Sequence, residues 1–172
     1  MKFFKFVIIV LGVALIPTIS FGQSKKDLNK MKENWEKYEV ESIKVGSEGT
    51  KLIKVWGYGK KVDDAIFQAK RNSVHASIFK GLPSGDGVLS TPPICSDVNA
   101  LSTHYEYFMN FFKEGGDYIK YIKVTTDMVP SGKDRREIKG GYKVAVYVQV
   151  LFDDLKDRLE ADGIIRSLNT GF

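Results

Sequence analysis

Chemistry-bearing residues are scarce in this chain of 172 residues, which has one cysteine, Cys95, and two histidines, His75 and His104. A single cysteine excludes an internal disulfide framework and any multi-cysteine metal site. No H-E-x-x-H pair and no aspartate-rich loop compensates. The formal charge is only +5, too mild to call for nucleic acid. No apolar run reaches the length of about 20 residues that a membrane span needs. Proline is also sparse, and three of its five occurrences crowd into residues 83–97, where they mark a surface loop.

The longest apolar run, Phe6 to Ile19, follows Lys2 and Lys5 and precedes the small-residue site Ser20-Phe21-Gly22. That order of charge, apolar stretch and small residues is a secretory signal peptide. The expectation is an exported protein, periplasmic or outer-membrane associated in a Gram-negative bacterium, with residues 1–22 removed and no transmembrane segment retained. Loss of Lys2 and Lys5 lowers the charge to +3. Residues 23–172 then suffice for one domain with a real core. They divide into an amphipathic N-terminal helix over 23–38, with Leu28, Met31, Trp35 and Tyr38 on one stripe, and a sheet-and-helix core over 39–172.

Within that core, Gly46-Ser47-Glu48-Gly49 separates two strand-like runs and predicts a β-hairpin. A helix follows from about Val62 to Lys80, with Asp63 and Asp64 at its positive end and Gly81-Leu82-Pro83 as its stop. Val98, Leu101, Tyr105, Phe108 and Phe112 keep helical spacing up to Gly115-Gly116. Residues 117–129 and 137–152 read as two long strands joined by Pro130-Ser131-Gly132-Lys133-Asp134, with a bulge at Gly140-Gly141. A short helix beginning at Asp153 closes the chain. Hairpin-linked strands covered by helices make an α+β domain, with a four-stranded, mainly antiparallel sheet and helices mainly on one face.

The stretch Gly57-Tyr58-Gly59-Lys60-Lys61-Val62 looks at first like a phosphate loop, but valine stands where a dinucleotide fingerprint needs its third glycine. No P-loop pattern starts there either, so no cofactor is expected. A packing corner explains more. Ala65, Ala69, Ser73 and Ala76 share one face of the helix, and a small-residue face can lie close against glycines on a strand.

Period-two alternation sorts the strands into two sets. Ile53, Val55, Tyr142, Val144, Val146, Val148 and Val150 read as core. The opposite set holds Lys54, Trp56, Tyr58, Tyr121, Lys123, Lys143 and Tyr147. Aromatics interleaved with lysines bind proteins or glycans, because rings stack while polar tips hydrogen-bond. These seven are the candidate binding surface, with an envelope protein, a glycan or a second copy of the chain as partner. The N-terminal helix, through Leu28, Met31 and Trp35, is an alternative occupant of the same face.

The combination of Val55-Trp56-Gly57-Tyr58-Gly59, the alanine-spaced helix Ala65 to Ala76, and Tyr142-Lys143-Val144-Ala145-Val146-Tyr147-Val148 resembles small envelope proteins. These are related to an outer-membrane lipoprotein family and to the N-terminal domain of flagellar assembly protein T. The resemblance covers about residues 52–160, and the whole chain also resembles exported proteins of Bacteroides-type bacteria. It implies an assembly or structural component and no enzymatic activity. Cys95 and its loop lie outside the family pattern. They supply the alternative, a small hydrolase in which Cys95, a histidine and Asp97 form a nucleophilic site. His104 and Glu106 are two apart on a helix and point away from one another, so no metal is expected.

Overall fold

A computed structural model describes residues 38–125 and 129–166. The signal segment and most of the N-terminal amphipathic helix expected from sequence lie outside the described residues. Five strands form one antiparallel sheet: β1 (Val40–Val45), β2 (Thr50–Gly59), β3 (Ile122–Val124), β4 (Arg135–Ile138) and β5 (Gly141–Leu151). Their spatial order is β1-β2-β5-β3, and β4 shares the outer edge of β5 with β3. The domain is therefore α+β, with four strands across at any level.

The β1–β2 hairpin turns where its glycines predict. Gly46 N–H donates to the Thr50 carbonyl at 2.9 Å, and Glu48 and Gly49 both adopt positive φ. β2 pairs with β5 along its whole length, from Thr50 opposite Leu151 to Gly59 opposite Tyr142. That register puts Ile53, Val55, Val144, Val146, Val148 and Val150 on one face, all buried. Tyr142, at the sheet's end, is half-buried.

Helix α1 (Val62–His75) lies on this face. Asp64 reaches back to accept the Lys61 N–H at 3.1 Å, satisfying one of the donors that a helix start leaves open. Ala65, Ala69, Ser73 and Ala76 are all buried. A Cβ placed on Gly57 would meet the Ala65 carbonyl oxygen at 2.1 Å and the Ala69 nitrogen at 2.5 Å; on Gly59 it would meet the Ala65 nitrogen at 2.5 Å. The glycines are there because helix backbone occupies the space of their side chains.

After His75 the helix widens into a π turn, Ala76–Lys80, closed by Gly81 N–H on the Ala76 carbonyl. The carbonyls of Ser77 and Ile78 accept from Ile94 and Cys95, so the proline-rich loop seals the helix end. The same loop caps the edge of the sheet, where the Ser42 hydroxyl donates to the Pro83 carbonyl at 2.5 Å.

Three expectations are corrected. The helix foreseen from Val98 is two pieces, α2 (Ala100–Thr103) and α3 (Tyr105–Phe112), broken at His104. Val98 precedes both and is 94 % exposed, because Asp97 takes the Asn99 N–H at 2.8 Å and delays the start. Residues 117–121 are a 3₁₀ turn, which leaves β3 only three residues. That coil lets Tyr118 bury fully among Phe67 and Phe112. Gly140-Gly141 is not a bulge: Ile138 pairs with Gly141 across a turn at Lys139-Gly140, which makes β4 a strand of its own. Helix α4 (Phe152–Ala161) continues directly from β5 and buries Leu155 and Leu159.

Candidate functional site

On the sheet face opposite α1 the register assembles five of the seven candidate residues. Lys54 lies directly across from Tyr147, Tyr58 across from Lys143, and Trp56 across from Ala145. The small Ala145 leaves room for the indole to lie along the sheet. Three cations then close over it. The Lys143 Nζ is 4.7 Å from the Trp56 ring, the Lys54 Nζ 5.0 Å and the Arg136 guanidinium carbon 5.9 Å, all within the range of a cation–π contact. Lys54 also reaches the Tyr147 ring, and Lys143 the Tyr58 ring.

Carboxylates hold these cations in place. Asp134 pairs with Lys54 at 2.9 Å and Glu39 with Lys143 at 2.6 Å, while Trp56 Nε1–H donates to Glu41 at 3.5 Å. Burial disfavours the Lys54 ammonium, but its pairing with Asp134 outweighs this and raises its pKa. Lys143 is raised in the same way through Glu39. The hydrogen bond from Lys143 in turn lowers the pKa of Glu39. Both lysines therefore stay charged over any physiological range.

Trp56 is 6 % exposed and Lys54 9 %. This corrects the picture of the indole as a stacking platform, since its faces are already taken by cations. The groups that remain within reach of a partner are Tyr58, Lys143 and Tyr147, half-buried, and Arg136, exposed. Lys123 sits on the same face further along β5, opposite Gln149, and is exposed. Tyr121 is separated from the others. The 3₁₀ turn swings it against Phe111, with ring centroids 6.1 Å apart, and Arg158 donates to its hydroxyl at 3.5 Å. Sequence reasoning missed Arg136, Glu39, Glu41 and Asp134. Arg136 was legible only through the turn at Lys139-Gly140 that makes Arg135–Ile138 a strand.

The Arg158 guanidinium forms a second polar cluster, bonding Asp162 at 2.6 Å and Asp117 at 3.2 Å, while Tyr107 donates to Asp162 at 2.6 Å. Two carboxylates and the Tyr121 hydroxyl engage the arginine, and Tyr107 joins through Asp162, so the cluster ties α4 to α3 and the 3₁₀ turn.

Cys95 is buried, and its thiol donates to the Asp97 carbonyl at 3.8 Å. Burial pushes the thiol pKa up, the reverse of what a nucleophile needs. His75 is buried among Phe79 and Phe112 and shares a hydrogen bond with Tyr38 at 2.8 Å. Burial, reinforced by Lys80 and Arg71, lowers its pKa to about 3. Among the described residues no group of three or more histidine, cysteine or acidic side chains could hold a metal, and no helix is long and apolar enough to cross a membrane.

No protein-family model, curated protein or solved structure matches the chain. What this face can do follows from its own chemistry.

Proposed function

We propose that the chain is an exported cell-envelope component that works by binding, without a catalytic step, through the sheet face opposite α1. The observation that carries this reading is the asymmetry of the sheet. One face is filled by α1, whereas the other presents Tyr58 and Tyr147 above an indole locked by three cations, each tyrosine ring already touched by a lysine. Rings held this way lose little freedom on meeting a partner, which favours binding. The leader-like first 22 residues support export, and the resemblance to envelope-assembly proteins supports a protein, glycan or second copy as partner. No observation favours the cysteine hydrolase, since the Cys95 thiol is buried and bonded to a backbone carbonyl.

The test is a Tyr58→Ser, Tyr147→Ser double variant in envelope pull-downs. Recovery of the wild-type partner should fall at least about tenfold, the equivalent of about 1.4 kcal/mol, with the thermal midpoint little changed. Full recovery by a folded double variant would remove this surface from the account.

A further inference from the structure

On the α1 side of the sheet, a hollow of about 370 Å³ opens between the helix and the segment formed by the 3₁₀ turn and β3. One wall is a single stripe of α1. Asp63, Ile66, Phe67 and Lys70 follow one another at spacings of three, one and three, the i, i+3, i+4, i+7 pattern of one helix face. Ile119, Ile122 and Val124 form the other wall. Ile66, Phe67, Ile122 and Val124 are half-buried, and Ile119 is 46 % exposed. The middle of the hollow is therefore apolar and open to a partner.

The stripe has opposite charges at its two ends. Asp63 and Lys70 stand about 10 Å apart along the helix axis, with Ile66 and Phe67 midway between them. Among the described residues neither is in an ion pair. Of the neighbouring charges, Asp64 accepts the Lys61 N–H, the Arg71 guanidinium lies over the Phe67 ring, and neither Lys60 nor Lys61 lines the hollow. A half-turn about an axis through the middle of the stripe exchanges its ends. Each Asp63 then meets the second copy's Lys70 while the apolar centre meets itself, which is what an isologous contact requires. A partner with charges of one sign would match one end and be repelled by the other.

We infer that this hollow is a homodimer contact, in which a second copy lies antiparallel on the α1 stripe, Ile119 of each copy enters the other's hollow, and Asp63 pairs with Lys70 twice. Apolar burial supplies the attraction, and the two ion pairs fix the orientation. The surface lies on the opposite side of the sheet from the tyrosine face, and the inference does not rest on the binding proposed there.

Sedimentation equilibrium of the full chain over a concentration series tests this. The wild type should pass from monomer to dimer with a Kd of roughly 10–100 µM, as suits a contact smaller than the standard interface of about 800 Å² a side. Asp63→Lys leaves two bases on the stripe and Lys70→Asp leaves two acids, so each variant alone should dimerise at least about tenfold more weakly. An equimolar mixture of the two should recover the dimer, because every base then faces an acid. Both exchanges in one chain should recover it as well. Ile119→Ser should weaken it several-fold, whereas the Tyr58→Ser, Tyr147→Ser variant should dimerise as the wild type does. The inference is overturned if the wild type is monomeric throughout the series, if either single charge variant associates as well as the wild type, or if neither the mixture nor the combined exchange recovers the dimer. Association driven by residues 1–22 would be equal in every variant and so would overturn it by the second of these outcomes. Loss of the dimer in the tyrosine variant would also overturn it, because the contact would then belong to the other face.

Discussion

The two faces of β2 solve the same problem by opposite means. Toward α1, Gly57 and Gly59 remove side chains so that helix backbone can press against the strand, and the contact is one of shape. On the other face, Lys54, Trp56 and Tyr58 meet Lys143, Tyr147 and Arg136, and the contact is one of charge against aromatic ring. Shape-held packing tolerates no added atom but ignores salt and most pH changes. A charge-held face tolerates substitution better at its rim, where an exposed ion pair such as Lys143–Glu39 contributes about 1 kcal/mol or less. The first face maintains the fold, and the second is the one proposed above for binding.

The largest expected effect comes from breaking the shape contact. Gly57→Ala puts a methyl group 2.1 Å from the Ala65 carbonyl oxygen, a backbone atom that cannot swing aside. The helix must move, at a cost of about 3 kcal/mol, the upper end of ordinary overpacking. Urea denaturation should show the same loss at low and high salt. A loss under about 1 kcal/mol would mean that α1 rides more loosely on the sheet than these distances allow.

The next effect shows where the shape-held side is sensitive to pH. His75 is buried and neutral, with a pKa near 3 in the fold against 6.5 when unfolded. The unfolded chain therefore binds a proton that the fold excludes, so this contribution is complete above pH 6.5 and shrinks as pH falls toward 3. The slope is about 1.4 kcal/mol per pH unit, or roughly 3 kcal/mol by pH 4. His75→Phe keeps a ring beside Phe79 and should flatten the stability profile between pH 6 and 4. An unchanged slope would assign the acid sensitivity to other groups.

The difference between the faces also explains what could be read from the sequence. Alternation alone placed Ile53, Val55, Val144, Val146, Val148 and Val150 in the core, and spacing alone placed Ala65 and Ala69 over the glycines, because both signals are local. The burial of Trp56 was not legible. It depends on Lys143 and Arg136, which reach it only once β4 and β5 have paired across a turn that resembled a bulge. Tyr121 was misplaced for a related reason. Tyr118, Ile119, Tyr121 and Ile122 suit a coil as well as a strand, and the demand of Phe67 and Phe112 for a buried Tyr118 decided between them.

The smallest effect has the opposite sign and concerns a side chain that breaks the pattern. Asn72 lies on α1 within the buried stretch that continues the alanine stripe, is fully buried, and among the described residues has no hydrogen-bond partner for either its amide nitrogen or its oxygen. On the charge-held face every buried cation has an acid. Here a polar group is buried with nothing to receive it, which costs about 1–3 kcal/mol. Asn72→Leu has nearly the same branched outline and no such debt, so stability should rise by about 1 kcal/mol after some crowding against the sheet. Asn72→Ala separates the two contributions, since it removes the unsatisfied amide without adding bulk and should lose less than a buried truncation usually does. If both variants are destabilised by more than about 2 kcal/mol, the amide is satisfied by a bound water molecule, and the shape-held face contains a polar anchor after all.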